Sequence, residues 1–582
     1  MKNPIMQAQK SAQKLIFDAY LLAVKNGELP GADVKAPAIE TPKDVKNGDF
    51  ASSFAMQNVK IIGKPPRVIA DAVIKNMDFA PSCFESAEAA GPGFINLRLS
   101  HKWFEQVVSA ISEEGENYGK TQAQKPEKIM VEFVSANPTG PMHMGNARGG
   151  VLGDSLAEVL SRAGYDVSRE FYVNDAGNQI EKFALSLDTR FMQLVEGEDK
   201  HPLPEDCYQG GDIIEIARKY IDENGKELAN ADQRERMDKL SAFGLAHNIP
   251  KMKADLERYK ILYDRWFFES ELHKSGYVAE TMEKLIKTGY TYEKDGALWL
   301  NTTRILTEKL EKQGKTPEEI EKLELKDDVL RRGNGFYTYF AVDIAYHRDK
   351  FEKRGLDRVI NIWGADHHGH VARLKGALDI LGLDGENRLE IVLMQLVRLM
   401  KDGQVYRMSK RTGKAVSLSD LLDEVSVDAA RYFFNSRASD THLEFDLGLA
   451  VRTDSENPVY YVQYAHARIK SILRTLAEDG VCTECENADL SLLRDESEIE
   501  LIRELSKLPE EIRLAAESRE PARLNHYATE VATAFHRFYT DCRIRGLDDG
   551  ALQSARIVLI KATATVIENT LSSFGVTAPD RM

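Results

Sequence analysis

Apolar and polar positions along this chain follow rhythms that change near residue 120 and again near 427. Before the first change, a helical period runs from Gln7 to Val24. Pro/Gly-punctuated segments follow, among them Asn47-Gly48-Asp49-Phe50 and the strand-like stretch Gly91–Leu99, which predicts a small α+β unit over 1–115. From about 120, apolar runs alternate with helical periods: Lys128–Ala136, a helix over Ala147–Gly164, Asp166–Val173, then another helix. That alternation predicts βαβ units on a parallel sheet. A mostly helical, highly charged insertion is expected from about Glu181 to Tyr290, after which the α/β rhythm resumes at Gly296–Asn301, Arg358–Trp363 and Leu389–Leu399. From Val427 only helical periodicity remains, in Tyr460–Leu476, Ile499–Ala516, Pro521–Tyr539 and Leu552–Phe574. The expected division is an α+β unit at 1–115, an α/β unit at 120–426 with the insertion near 181–290, a connecting helical segment at 427–455, and an all-helical unit at 456–582.

Length and composition narrow the class without naming a function. A chain of 582 residues should fold as several domains, roughly three to four, and 43% hydrophobic with 29% charged residues is an ordinary globular composition. No apolar run is long enough to predict a bilayer span, and the N-terminal helical period lacks an apolar signal core. The five cysteines are too scattered for a disulfide framework, so the cytoplasm is the expected compartment. Cys482-Thr-Glu-Cys485 is a lone C-x-x-C without a second pair, better read as two ordinary thiols than as a zinc or redox site. A net charge of −15 argues against general affinity for nucleic acid. It leaves room for a specific RNA partner, which needs only a local basic stripe.

Two short segments carry the first chemical signal. His143-Met144-Gly145-Asn146 follows the apolar run Ile129–Val134 and opens the helix expected from Ala147. A strand, a tight Gly/Pro loop and a helix N-terminus make an anion site. Asn137-Pro-Thr-Gly-Pro141 stiffens that loop, Gly145 lets a ligand approach the backbone, and His143 and Asn146 share one face of the first turn as hydrogen-bond donors. The bland reading is a Gly-rich turn with a capping Asn. The second segment, Arg407-Met408-Ser409-Lys410, continues through Arg411, Gly413 and Lys414 as a basic loop suited to a departing pyrophosphate. Alone it would be a solvated charge run. Together, in this order, the two point to adenylate chemistry.

Two further segments refine the picture. Trp363-Gly364-Ala-Asp366-His367-His368-Gly-His370 stands at the C-terminal end of an expected strand, where ligands bind in open α/β sheets. Asp366 would hold ribose hydroxyls and Gly364 would admit a base or ribose; a metal site on Asp366, His367, His368 and His370 is the rival. Tyr339 and Asp343 stand at i and i+4 on an expected helix, and a carboxylate beside a Tyr hydroxyl suits a guanidinium. A solvated helix carboxylate is the alternative.

These residues resemble the class I aminoacyl-tRNA synthetases, and specifically their arginyl branch. His143–Asn146 looks like the class's HIGH signature and Arg407–Lys410 like its KMSKS loop. Ser135-Ala-Asn137-Pro-Thr-Gly-Pro141, Asn146–Gly149, Trp363–His370, Asp428–Arg437, Asn457–His466 and the terminal Ala578–Met582 all resemble arginyl enzymes. The resemblance implies a class I Rossmann-type catalytic domain with an N-terminal α+β domain for the tRNA elbow and a C-terminal helical domain for the anticodon. It implies activation of L-arginine with ATP and Mg²⁺, transfer to the terminal 2′-OH of tRNA(Arg), no tightly bound protein-ligated metal, no membrane, and a monomer. Residue by residue, Ser135 and Asn137 would meet the α-amino and carboxylate end of arginine, and Glu269, Tyr339 and Asp343 its guanidinium. His143, Gly145, Asn146, Gly364, Asp366, His370, Met408, Ser409 and Lys410 would bind ATP, with His143, Asn146 and Lys410 as the catalytic set. Asn146 stands where the signature usually has its second His, and Arg407 replaces the leading Lys; both substitutions keep the electrostatic role. A nucleotidylyltransferase, a metal hydrolase, a non-catalytic RNA-binding protein and a class I synthetase for another amino acid are the competing readings.

Overall fold

The computed structural model describes residues 3–123, 125–406, 416–485 and 487–582. Its centre is a five-stranded parallel sheet: β1 (Lys128–Glu132), β2 (Asp166–Val173), β3 (Arg265–Phe268), β4 (Arg358–Gly364) and β5 (Leu389–Met394), in the order β5-β4-β1-β2-β3. Strands covered on both faces read as continuous apolar runs, and Ile129, Met130 and Val131 are accordingly at most 1% exposed. Helix α1 (Met144–Arg162) links β1 to β2; α2 (Tyr339–Arg348) precedes β4, and α3 (His368–Ile380) links β4 to β5. The chain runs outward from β1 through β2 to β3, then returns to β4 beside β1, so the order reverses between β1 and β4. Such a switch point leaves a crevice at the carboxyl ends of the strands.

Several expected elements are corrected. The insertion is not wholly helical: its helices Asn178–Glu196, Gly211–Asn224 and Gln233–Arg258 form their own cluster around Phe183, Leu187 and Leu240, but β3 lies inside the expected 181–290 span. As a half-buried edge strand of four residues, β3 has no long apolar run to announce it. The Gly296–Asn301 stretch does not rejoin the parallel sheet. Ala297–Leu300 is the middle strand of an antiparallel sheet with Thr291–Lys294 and Asp328–Arg331. Asp295 and Gly296, at φ 54° and 72°, turn that hairpin. Leu389–Leu399 is two strands: β5 ends at Met394, and Val397–Lys401 pairs with Leu443–Asp446 in a separate sheet. That last strand also corrects the expectation of helix alone beyond Val427. Gly91–Leu99 is a strand only from Phe94, since Gly91 and Gly93 turn the hairpin from Phe84–Ala90.

The N-terminal unit is α+β as expected, with helix Pro4–Lys25 and a four-stranded sheet. The C-terminal unit is helical. Ile499–Ala516 is broken into Glu496–Leu505 and Leu508–Ser518, because Pro509 fits only the first turn of a new helix. Gly550–Ser572 is long and apolar enough by composition to cross a membrane, a correction to the sequence expectation. Its apolar side chains lie in the domain core, with Ile557, Ile560, Val566 and Ile567 fully buried.

Candidate active site

The segment after β1 bends sharply. Val134 and Ser135 have φ of 68° and 42°, left-handed values that are costly for a β-branched residue. The Ser135 hydroxyl fixes the bend, donating to Glu132 Oε1 at 3.0 Å and accepting from the Tyr172 N–H at 3.2 Å. The chain passes exposed Asn137 and reaches His143 at the N-cap of α1. The His143 N–H donates to Asn146 Oδ1 at 3.1 Å, so Asn146 does cap the helix, and its amide N–H donors remain for a ligand. The positive end of the helix dipole favours an anion here.

Residues 407–415, which include Arg407, Met408, Ser409, Lys410, Arg411, Gly413 and Lys414, lie outside the described residues. The chain just beyond them is well placed. The Met144 N–H donates to Val416 O at 3.2 Å and the Leu418 N–H to Met142 O at 2.9 Å, forming a short antiparallel bridge at His143 and Ser417. Val416 to Leu418 are thereby stitched to the histidine signature. A cleft of about 470 Å³, lined by Ser135, Asn137, His143 and Asn146 among others, opens beside it.

An acidic pocket adjoins. Glu269, just past the end of β3, is 3% exposed and accepts from the Tyr172 hydroxyl at 2.7 Å. Gly177, at φ 73°, leaves room between Glu269 and Tyr339: a Cβ there would stand 3.7 Å from Glu269 Oε1 and 4.0 Å from the Tyr339 ring. Asp343 lies one turn along α2 from Tyr339. Its Oδ2 is 2.7 Å from His370 Nε2 and its Oδ1 3.0 Å from His347 Nδ1. Burial alone would raise the Asp343 carboxyl, but His347 and His370 outweigh it and hold the group well below the usual carboxylate range. Tyr172 is driven the other way: burial, then the neighbouring Glu269, Asp343 and Glu132 carboxylates, push its hydroxyl well above 10. Tyr172 therefore stands among three carboxylates, in a setting that attracts a cation.

On the other side of the switch point, Gly364 ends β4, and a Cβ on it would meet Asp366 Oδ1 at 2.4 Å. Asp366 is exposed, whereas His370 is turned to Asp343, at the border between the two ligand areas. Among the described residues no three His, Cys, Asp or Glu side chains gather around a metal-sized site. The structure thus brings Ser135, Asn137, His143 and Asn146 to one cleft and Glu269, Tyr339 and Asp343 to its neighbour. Sequence reasoning missed Glu132, Tyr172, His347, Lys350 and Asn361. The signal for Glu132 and Asn361 was a polar residue inside an apolar strand run.

A second site lies in the helical domain. Arg468, Arg474, Arg543, Arg545 and Arg581 line a cavity of about 1010 Å³ together with Tyr464 and Tyr539. The Arg468 guanidinium lies 4.3 Å from the Tyr539 ring centre. Guanidinium groups interleaved with aromatic faces suit single-stranded nucleic acid, and they supply a local basic surface on an acidic chain.

Comparison with known proteins agrees with this geometry. Residues 9–99 match the arginyl tRNA synthetase N terminal domain, 106–446 the class I (R) tRNA synthetase catalytic domain, and 462–582 the DALR anticodon binding domain. The arginine–tRNA ligases of Acetivibrio thermocellus and Ruminiclostridium cellulolyticum are each 49% identical to the chain over 583 residues, covering 100% of both partners. The solved arginyl-tRNA synthetase of Thermus thermophilus superposes with a TM-score of 0.70 at 20% identity, covering 98% of this chain and 100% of that one, a likeness of fold.

Proposed function

The chain belongs to the arginyl-tRNA synthetase family, and from that premise we propose how its residues divide the work of joining arginine to tRNA(Arg). It is an ATP-dependent arginine–tRNA ligase of translation, with arginine, ATP and tRNA(Arg) as its partners.

The arginine guanidinium enters the acidic pocket, where Asp343 and Glu269 grip it with Tyr339 at the mouth. A planar fork of donors matches carboxylates in bidentate fashion, and lysine cannot satisfy the same acceptors. A site left with unpaired buried acceptors rejects strongly, so no separate editing step is needed. Ser135 and Asn137 hold the α-amino and carboxylate end, aiming the carboxylate at ATP. The nucleotide lies across the switch point, its adenosine against Gly364 and Asp366 near His370, its phosphates at Gly145 and the N-terminus of α1. The arginine carboxylate attacks the α-phosphorus in line, and pyrophosphate leaves as arginyl-adenylate forms. His143 and Asn146 stabilise charge building on the phosphate oxygens, and Lys410, with Met408 and Ser409 in its loop, the departing pyrophosphate. The 2′-OH of the terminal adenosine of tRNA(Arg) then attacks the adenylate carbonyl and AMP leaves. Mg²⁺ arrives on the nucleotide and neutralises phosphate charge; no tightly held protein-ligated metal is needed.

The arginine cavity of the helical domain takes the anticodon loop and the unit at 1–115 the tRNA elbow. We assign the catalytic unit to 120–426, with the insertion near 181–290, a connector at 427–455 and the anticodon-binding unit at 456–582. A monomer in the cytoplasm, apart from membranes, follows from the family resemblance, and the five free cysteines fit a reducing compartment.

The observation that carries this reading is the pair of carboxylates, Glu269 and Asp343, placed beside the cleft that His143 and Asn146 line. ATP–pyrophosphate exchange across the standard amino acids, with and without total tRNA, tests it. Exchange should appear with arginine alone and only when tRNA is present. Exchange with a second amino acid would overturn the reading of the acidic pocket.

A further inference from the structure

Beneath the acidic pocket lies a row of buried polar groups that the reaction itself does not use. Asn361 of β4, Glu132 of β1 and Glu170 of β2 are register partners across three adjacent strands, and all three are buried. Facing this row is Lys350, whose side chain is wholly buried. Past α2 the chain winds as one π-helical turn over Asp349–Lys353, a form often found at functional sites. The Lys350 ammonium donates to Glu132 Oε2 at 2.5 Å and to Asn361 Oδ1 at 3.3 Å, and rests 4.0 Å from the Tyr346 ring centre.

The chemistry of donors then fixes everything above it. An ammonium only donates, so it must face the Asn361 oxygen. The other end of that amide, Nδ2, lies 2.7 Å from His347 Nε2 and donates to it. Lys350 Nζ, another donor, stands 3.5 Å from the same nitrogen. A ring nitrogen that accepts carries no proton, so the His347 proton resides on Nδ1. That nitrogen lies 2.9 Å from the Asp343 carbonyl oxygen and 3.0 Å from its Oδ1. With the opposite tautomer, a lone pair would face the carboxylate. At the other end of the row, Glu132 Oε1 receives the Ser135 hydroxyl.

We propose that Lys350 is a positioning residue for arginine: its buried ammonium sets the Asn361 orientation and the His347 tautomer, and so presents Asp343 as an ionised, oriented carboxylate. The same ammonium anchors Glu132 and through it Ser135, so both ends of the amino-acid site hang on one cation. This rests on the assignment of Asp343 to the arginine side chain.

The test uses the full-length enzyme labelled with ¹⁵N-histidine, the His347 signal being identified by its loss in His347→Gln. Lys350→Met alone strands a buried carboxylate and threatens folding. The informative variant is therefore Lys350→Met with Glu132→Gln, compared with Glu132→Gln alone, folding being checked by circular dichroism. His347 should show a protonated Nδ1 in the wild type and in Glu132→Gln. The double variant should lose that signature and raise the arginine KM about tenfold, the scale of losing an orienting partner, with the ATP KM unchanged. An unchanged tautomer in the double variant would overturn the proposal. So would a lost tautomer with an unchanged arginine KM, provided Asp343→Asn still raises that KM. If Asp343→Asn also leaves it unchanged, the assignment of the pocket falls and the proposal with it; the Asp343→Asn control separates the two failures.

Discussion

Tyr172 has no motif around it, yet its backbone N–H holds Ser135 and its hydroxyl holds Glu269, tying together the two ends of the proposed arginine site. Removing that hydroxyl leaves a buried carboxylate short of a donor, at a cost of about 1.5–3 kcal/mol. Tyr172→Phe should therefore raise the arginine KM about tenfold in steady-state aminoacylation, at unchanged ATP KM. Tyr339 and Asp343 were legible from the sequence because helical spacing alone puts them on one face. Glu269 was reached only through the family resemblance. Lys350 and His347 were illegible: charged and imidazole groups are ordinarily solvated, and only the π-turn and the packed strands reveal that they are buried.

Helix α1 must approach the sheet closely to carry His143 to the switch point, and its glycines allow that. A Cβ at Gly153 would meet the Phe133 ring at 2.1 Å, and one at Gly150 would stand 2.8 Å from Ile261 Cδ1. Gly153→Ala should cost about 1–3 kcal/mol of stability by overpacking, read in denaturant unfolding. It should also lower kcat by shifting the N-terminus of α1 against the segment at Val416. At this scale the buried parallel strands were the most legible part of the fold, since short apolar runs such as Ile129–Val131 suit strands covered on both faces. The elements missed have short or broken signals. β3 is a four-residue edge strand, and Gly296–Asn301, expected to resume the α/β rhythm, is instead the second half of a hairpin with Thr291–Lys294 that turns at Asp295-Gly296. Apolar content continues across the break between β5 and Val397 although the chain changes sheets there.

Across the whole molecule, the signature helix is bolted to the far domain. Arg431, wholly buried, donates to the Phe574 carbonyl at 2.7 Å and the Tyr259 carbonyl at 3.0 Å, and pairs with Asp154 of α1 at 2.5 Å. Arg162, the last residue of α1, donates to the Asn569 carbonyl and the Ser572 hydroxyl, both at 3.1 Å. The N-terminal unit joins the same helices, Asn569 donating to the carbonyls of Gly115 at 2.9 Å and Tyr118 at 3.0 Å. Domain types followed from hydrophobic rhythm; these joints, made by two arginines and an asparagine, did not. Nor did the basic cavity on a chain of net charge −15, because arginines distant in sequence meet only in the fold. On the proposed assignment, Asp343 is where arginine is chosen over other amino acids. The most direct measurement is the arginine KM and the ATP KM of Asp343→Asn in aminoacylation of tRNA(Arg). The arginine KM should rise on the order of 100-fold, the scale of losing one partner of a buried charge pair, while the ATP KM stays within about twofold. An unchanged arginine KM, or an equal rise in both, would contradict the assignment.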